Sequence, residues 1–162
     1  MLAVANFALF VAIRNCMQGL WGRIGSFLFL TGTIGTILGG IFIADPINTA
    51  PESATTSGNL HNLGGALGLA GFLGTLVYSA KLLRSAPWNS ARRSIFLATA
   101  IVILGFLVSF VATVTIVAEY GGVFGPDSPV GWPNRLGILS GCAWLMIISW
   151  RASGMKCQSP EN

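Results

Sequence analysis

Four ionisable side chains at the ends of apolar segments are the residues of this sequence that could do chemistry: Asp45, His61, Glu119 and Arg135. A histidine beside an aspartate can act as a general base. An arginine can instead bind an anion, and opposite charges can pair to tie helices together. Three roles are therefore open for this set: a structural clasp, a binding site for a headgroup or small polar ligand, or a catalytic site with His61 as general base oriented by Asp45.

The composition indicates the class of protein to which this chain belongs. The chain is 53% hydrophobic and only 9% charged, whereas a soluble domain carries about 25% charged residues. This composition is typical of a membrane protein. The net charge of +4 does not indicate nucleic-acid binding, because no solvated face combines clustered Lys and Arg with aromatic residues.

The apolar segments predict an all-α, polytopic transmembrane bundle with five spans, the first one short. A span takes about 20 helical residues, and the predicted spans are residues 1–17, 24–44, 60–80, 94–118 and 134–150. They form a bundle over residues 1–151, followed by a tail over residues 152–162. The apolar start, Met1–Ile13, lacks the basic region of a signal peptide, so we interpret it as a retained membrane segment.

Charged residues alternate between the two sets of loops. All the basic residues except Arg135 fall in alternate loops or the tail: Arg14, Arg23, Lys81, Arg84, Arg92, Arg93, Arg151 and Lys156. The other loops hold the acids Asp45, Glu52, Glu119 and Asp127. The positive-inside rule places basic loops in the cytoplasm, which predicts an outside N-terminus and a cytoplasmic C-terminus.

This topology brings the four ionisable side chains to one membrane face. Asp45 ends the second span, His61 begins the third, Glu119 ends the fourth and Arg135 begins the fifth. A cation on the outer side needs an acidic partner, and we predict that Asp45 or Glu119 pairs with Arg135. Trp88, in the basic loop, is assigned to the aromatic belt of the inner interface.

Glycines line one face of two consecutive spans: Gly32, Gly35 and Gly39 in the second, and Gly64, Gly68 and Gly71 in the third. Transmembrane helices associate by close backbone contact at small residues. The spacing predicts an antiparallel hairpin packed along a glycine seam. The alternative is a groove that accommodates a lipid tail or a pigment.

No metal or cofactor site is predicted. The chain has one histidine, and its three cysteines, Cys16, Cys142 and Cys157, lack metal-binding spacing, so we interpret them as free thiols. A nucleophilic triad would need Ser57 beside His61, but a loop rich in Ser and Thr supplies such a serine by chance. Ion-coupled transport is disfavoured, because only neutral polar groups lie within the spans.

Three short stretches carry a family resemblance: "GGIFIADP", "GNLHNLGGALG" and "GWPNRLGIL". From about Gly32 to Arg151 the chain resembles the prokaryotic membrane proteins grouped as domain of unknown function 998. The resemblance implies that Asp45-Pro46, His61 and Arg135 match the family's motif, although Ile43 replaces a proline that is often present. It also implies a six-span bundle, of which this chain lacks the first helix, and it implies no reaction.

We therefore expect a multi-pass protein of a prokaryotic cytoplasmic membrane that acts by binding. It binds membrane lipids or a small ligand at the outer cluster, or it is an accessory subunit. In the second case, another membrane protein fills the slot of the missing helix. The alternative is a membrane-embedded hydrolase or transferase that uses His61 as general base; we favour binding over catalysis.

Overall fold

The computed structural model describes residues 1–46, 49–120, 129 and 131–155, and this part of the chain is helical without strands. The five α-helices are α1 (Leu2–Ile13), α2 (Leu20–Ile41), α3 (Thr56–Leu83), α4 (Arg92–Glu119) and α5 (Gly131–Ser153). Short 3-10 turns cover Arg14–Cys16, Pro51–Ser53 and Ala86–Ala91. The predicted fold class, an all-α polytopic bundle, is confirmed.

Four of the five helices, α2 to α5, are long and apolar enough to cross a membrane. The first, α1, has 12 residues and is about 18 Å long, which is short of a hydrocarbon core of about 30 Å. The protein is therefore a membrane protein with four candidate spans and one short apolar helix.

The connection between α2 and α3 starts and ends earlier in the chain than the sequence predicts. Predicted as helical to residue 44, α2 ends at Ile41, and the next residue, Phe42, is extended (φ −92°, ψ 136°). Pro46 disfavours a helical Asp45. At the other side, α3 begins at Thr56 and not at residue 60, because the side chain of Thr55 caps it by accepting a hydrogen bond from the Gly58 amide (3.0 Å).

Glycines bring α2 and α3 into backbone contact. A Cβ atom added to Gly71 would lie 2.7 Å from the Gly32 Cα, and one added to Gly32 would collide with Gly71. One turn further on, a Cβ on Gly35 would lie 2.6 Å from the Gly64 carbonyl oxygen and 2.9 Å from the Gly68 amide nitrogen. Contact this close leaves no room between the backbones for a lipid tail at these positions.

The seam continues in both directions from these pairs. A Cβ on Gly64 would lie 2.7 Å from the Gly39 amide nitrogen, and one on Gly74 would lie 2.5 Å from the Phe29 amide nitrogen. The six glycines named from the sequence thus lie along the contact between α2 and α3, which form an antiparallel hairpin.

The second hairpin, α4 with α5, is joined by small residues and hydroxyl groups. Ser109 Oγ donates to the Pro133 carbonyl oxygen (2.5 Å). At the other end, Arg151 donates from Nε (2.9 Å) and Nη2 (2.7 Å) to Ser94 Oγ. Between them, a Cβ on Gly105 would collide with the side chain of Ser140.

The hydrophobic core lies at one end of the bundle, called here the basic end because Arg14, Arg84, Arg92 and Arg93 surround it. The opposite end, which carries Asp45, Glu52 and Glu119, is called the acidic end. The largest fully buried side chains belong to the core: Trp88, Trp144, Tyr78, Ile13, Leu82, Ile95 and Ile148. The short α1 packs against α2 and α5 there.

The indole groups of two tryptophans donate hydrogen bonds within the core. Trp144 Nε1 donates to Ser79 Oγ at 2.9 Å, and Trp88 Nε1 donates to Cys16 Sγ at 3.3 Å. Trp88 is fully buried, so its assignment to an interfacial belt is wrong. The turn Ala86–Ala91 thus contributes both Trp88 and Ala91 to the hydrophobic core.

The cysteines differ from each other. Cys142 is free and half-buried, whereas Cys16 is disulfide-bonded. The interpretation of the cysteines as free thiols is thus wrong for Cys16, because the approach of two sulfur atoms depends on packing that residue spacing does not give. Cys157 lies outside the described residues.

Candidate functional site

At the acidic end, the residues that follow α2 are bonded to the start of α3. His61 Nδ1 lies 2.9 Å from the Phe42 carbonyl oxygen. Because a carbonyl oxygen only accepts, Nδ1 donates, which leaves Nε2 as the acceptor of the neutral ring. Ser57 Oγ accepts from the Ile43 amide and donates to the Ile43 carbonyl oxygen, both at 3.0 Å.

Asp45 completes this set of contacts. Its Oδ2 accepts from the Thr55 amide (2.8 Å) and its Oδ1 accepts from Thr55 Oγ1 (2.7 Å). The carboxylate therefore lies at the N-terminus of α3, where the helix dipole favours negative charge. A side chain at Gly58 would collide with the carboxylate. We call Asp45, Thr55, Ser57 and His61 the clasp.

The clasp fixes a chain reversal, and its hydrogen bonds are those of a structural contact. Neither Asp45 nor Ser57 is hydrogen-bonded to His61: Asp45 bonds to Thr55, and Ser57 bonds to the Ile43 backbone. A general base oriented by a carboxylate, or a serine activated by a histidine, would need those bonds. What the arrangement does chemically is satisfy backbone groups of Phe42, Ile43 and Thr55 that the helix ends leave unpaired.

Arg135 and Glu119 lie on the other hairpin. The exposed guanidinium of Arg135 lies over the Trp132 ring, 5.2 Å from its centroid, which is a cation–π contact. Glu119 is the exposed last residue of α4. Within the described part of the chain neither of them forms an ion pair, so the predicted pairing of Arg135 with Asp45 or Glu119 is not found there.

The structure thus divides the predicted outer cluster into two places. Asp45 and His61 come together in the clasp between α2 and α3, whereas Arg135 stands at the start of α5. The reason is that each hairpin satisfies its own polar groups. Asp45 accepts hydrogen bonds from Thr55, and Arg135 stacks on the Trp132 ring one turn away. Asp127, a further acid of this face, lies outside the described residues.

An apolar groove of about 340 Å³ opens beside Arg135. It is formed by the ends of α4 and α5 and by one residue of the connection between them: Ala112, Ile116, Pro129, Trp132, Pro133 and Leu136. Sequence reasoning missed this groove. The signal was present as two pairs at helical i, i+4 spacing, Ala112 with Ile116 and Trp132 with Leu136, but their meeting depends on how the hairpin packs.

The described residues contain no group of three or more His, Cys, Asp or Glu side chains that could hold a metal ion. The chemistry that this end of the molecule offers is therefore that of one cation at the rim of an apolar groove, together with a hydrogen-bonded clasp on the neighbouring hairpin.

Comparison with known proteins gives one match. The family model described as "Protein of unknown function (DUF998)" matches residues 1–151, which includes the residues before Gly32 that the sequence motifs do not cover. Neither a curated protein nor a solved structure matches the chain. The family model spans the whole described bundle apart from its last residues, and the chain belongs to this family of membrane proteins of unknown function.

Proposed function

We propose that the protein binds an anionic lipid at the acidic end of the α4–α5 hairpin. The acyl chain occupies the apolar groove, and the headgroup contacts Arg135. The observation that carries this proposal is the position of Arg135: its guanidinium stacks on Trp132, which itself lines the groove, and no acid of the described residues neutralises it.

The groove alone would not select a lipid. Lipid tails are as apolar as the groove, so moving a tail from the bilayer into it gains little from the hydrophobic effect. Selectivity must come from the charge at the rim. A phosphate group at headgroup depth gives Arg135 the anionic partner that a cation in this environment requires, and the Trp132 ring holds the guanidinium in place.

The proposal includes a location. We place the protein in a prokaryotic cytoplasmic membrane. The distribution of basic residues supports an orientation with the basic end toward the cytoplasm, so that the lipid site faces the outer leaflet. In this arrangement Arg135 is the one basic residue outside, and a ligand accounts for its departure from the charge pattern.

The clasp has a supporting role in this proposal. Asp45 and His61 hold the connection between α2 and α3 to the start of α3, and thereby fix the acidic end of the neighbouring hairpin. We do not propose catalysis by His61, because its Nδ1 bonds to the Phe42 carbonyl and Asp45 bonds to Thr55. We propose no role in lipid binding for Glu119, which is exposed at the end of α4.

Native mass spectrometry of the protein, gently extracted and then mixed with phosphatidylglycerol or phosphatidylcholine, tests the proposal. One cation at a membrane surface contributes about 1 kcal/mol, or roughly fivefold in affinity. We expect the preference for phosphatidylglycerol to fall by about this factor in Arg135→Gln and to be retained in Arg135→Lys.

A second pair of variants tests the groove. Ala112→Phe fills the groove and should weaken binding of both lipids. Its control is Val111→Phe, on the neighbouring position of α4, which is 61% exposed and does not line the groove. Equal binding by all variants would contradict the proposal. A stoichiometric protein partner retained in place of lipid would support the accessory-subunit interpretation instead.

A further inference from the structure

The loop between α3 and α4, at the basic end of the molecule, carries arginines and is anchored in the core. The turn Ala86–Ala91 is anchored to the bundle, because Trp88 and Ala91 are fully buried in the core. The Trp88 indole also donates to Cys16 Sγ, which joins this loop to the Arg14–Cys16 turn after α1. Two connections that are distant in sequence are thereby held as one surface.

This surface carries Arg14, Arg84, Arg92 and Arg93, whose side chains are all exposed. In the described part of the chain these four arginines form no hydrogen bond or ion pair through their side chains. The acids that the structure describes, Asp45, Glu52 and Glu119, lie at the other end. We call the four arginines the basic platform.

Arg14 and Arg84 follow the C-termini of α1 and α3, where positive charge is favourable, whereas Arg92 and Arg93 lie where it is not. Arg92 and Arg93 begin α4, whose first turn contains no acid, and positive charge at a helix N-terminus opposes the helix dipole. Arg151 shows the contrasting case, since it bonds to Ser94 and stacks on the Trp150 ring at 4.6 Å. An orientation signal would need only the charge, without a loop that is anchored through a buried indole.

We infer that the basic platform binds the headgroups of anionic phospholipids in the membrane leaflet at the basic end. The platform adjoins the ends of membrane-spanning helices, and this depth is where headgroup phosphates lie. The exposed rings of Trp21 (66%) and Trp150 (68%) are suited to the same interface. The phosphate charge complements a surface on which the described residues offer no carboxylate. This site is separate from the one proposed at Arg135.

The test is lipid binding by the full-length protein in detergent, measured with phosphatidylglycerol and phosphatidylcholine by native mass spectrometry. The test variant replaces Arg84, Arg92 and Arg93 by Gln, in an Arg135→Gln background that removes the other proposed site. The control variant replaces the same three residues by Lys.

We expect phosphatidylglycerol to bind more tightly than phosphatidylcholine in the Arg135→Gln background. At about 1 kcal/mol for each cation, the three Gln substitutions together should reduce the preference by roughly two orders of magnitude at low salt. The Lys variant should keep most of it. Raising the ionic strength with ammonium acetate to about 0.5 M should weaken it in the Arg135→Gln parent, a test that requires no mutation of the platform. An equal affinity for the two lipids in the parent, or an unchanged preference in a Gln variant with native circular dichroism, would overturn the inference.

Discussion

Substituting the glycines of the α2–α3 seam tests whether backbone contact holds this hairpin together. In Gly71→Ala the new Cβ would lie 2.7 Å from the Gly32 Cα, about 0.7 Å short of the 3.4 Å at which ordinary contact begins. The obstacle is backbone, so no side chain can rotate away and the helices must separate. Separation of this size forfeits about a quarter to a half of each dispersion contact nearby.

The expected cost follows from two opposing terms. Overpacking costs about 1–3 kcal/mol, whereas replacing Gly by Ala inside a helix gains up to about 1 kcal/mol. Gly65→Ala on α3 and Gly40→Ala on α2 isolate the second term, because nothing lies within 4 Å of a Cβ at either position. We expect Gly71→Ala and Gly32→Ala to be less stable than their controls by about 1–3 kcal/mol.

Reversible chemical unfolding in mixed bicelles, followed by tryptophan fluorescence, measures this difference, since Trp144 and Trp88 are buried in the core. Because each variant is compared with a control on the same helix, most of the difference in helix propensity between Gly and Ala cancels. If Gly71→Ala unfolds at the same denaturant concentration as Gly65→Ala, and Gly32→Ala at the same concentration as Gly40→Ala, the seam does not stabilise the hairpin and the reasoning is refuted.

Three further predictions concern polar contacts. Asp45→Ala should destabilise the protein by about 0.5–1.5 kcal/mol in the same unfolding assay, because the Thr55 amide and hydroxyl lose their acceptor at a solvent-exposed position; Asp45→Asn, which keeps one acceptor oxygen, should cost less, and equal losses would contradict a role for that acceptor. Gly58→Ala should displace the Asp45 carboxylate and speed hydrogen exchange of the Thr55 amide, and an unchanged exchange rate would show that the clasp tolerates a side chain there. In a double-mutant cycle, Trp144→Phe and Ser79→Ala should show a coupling of about 0.5–1.5 kcal/mol, since each removes the same hydrogen bond; additive effects would exclude that bond as a stabilising contact.

Much of the fold can be read from the sequence because lipid imposes a simple rule. A span must satisfy its backbone groups internally, so a long apolar segment can only be a helix, and the small residues on one face of α2 and α3 mark where the backbones meet. The helix ends are less predictable. The extended residues after Ile41 depend on hydrogen bonds from Ser57 and His61, which are tertiary contacts across the chain reversal.

The candidate site shows the same division. Asp45 and His61 stand out as rare polar residues in an apolar chain, so their position at a helix end can be predicted. Their partners are a backbone carbonyl, a backbone amide and a threonine hydroxyl, and groups of this kind occur in every loop. For Trp88, the sequence shows only a tryptophan in a basic loop, which is equally compatible with an interfacial ring and with the buried ring that the structure contains.

The two ends of the bundle are held together by different means, and this difference governs where a ligand can enter. At the basic end, side chains from α1, α3, α4, α5 and the Ala86–Ala91 turn are fully buried against each other, so the hairpins share one core. Beyond the stacked rings of Phe72 and Phe106, which join α3 to α4 midway along the bundle, the contacts described toward the acidic end lie within each hairpin. These are the clasp and the Gly35–Gly64 part of the seam in one hairpin, and the Ser109 hydroxyl in the other. A hairpin that does not depend on its neighbour at that end can keep an apolar groove open beside Arg135 without loss of core packing. At the basic end the shared core is built from fully buried side chains, and this end offers charge on a fixed surface. The proposed lipid site at the acidic end therefore combines a chain with a headgroup, whereas the proposed site at the basic platform depends on the headgroup alone.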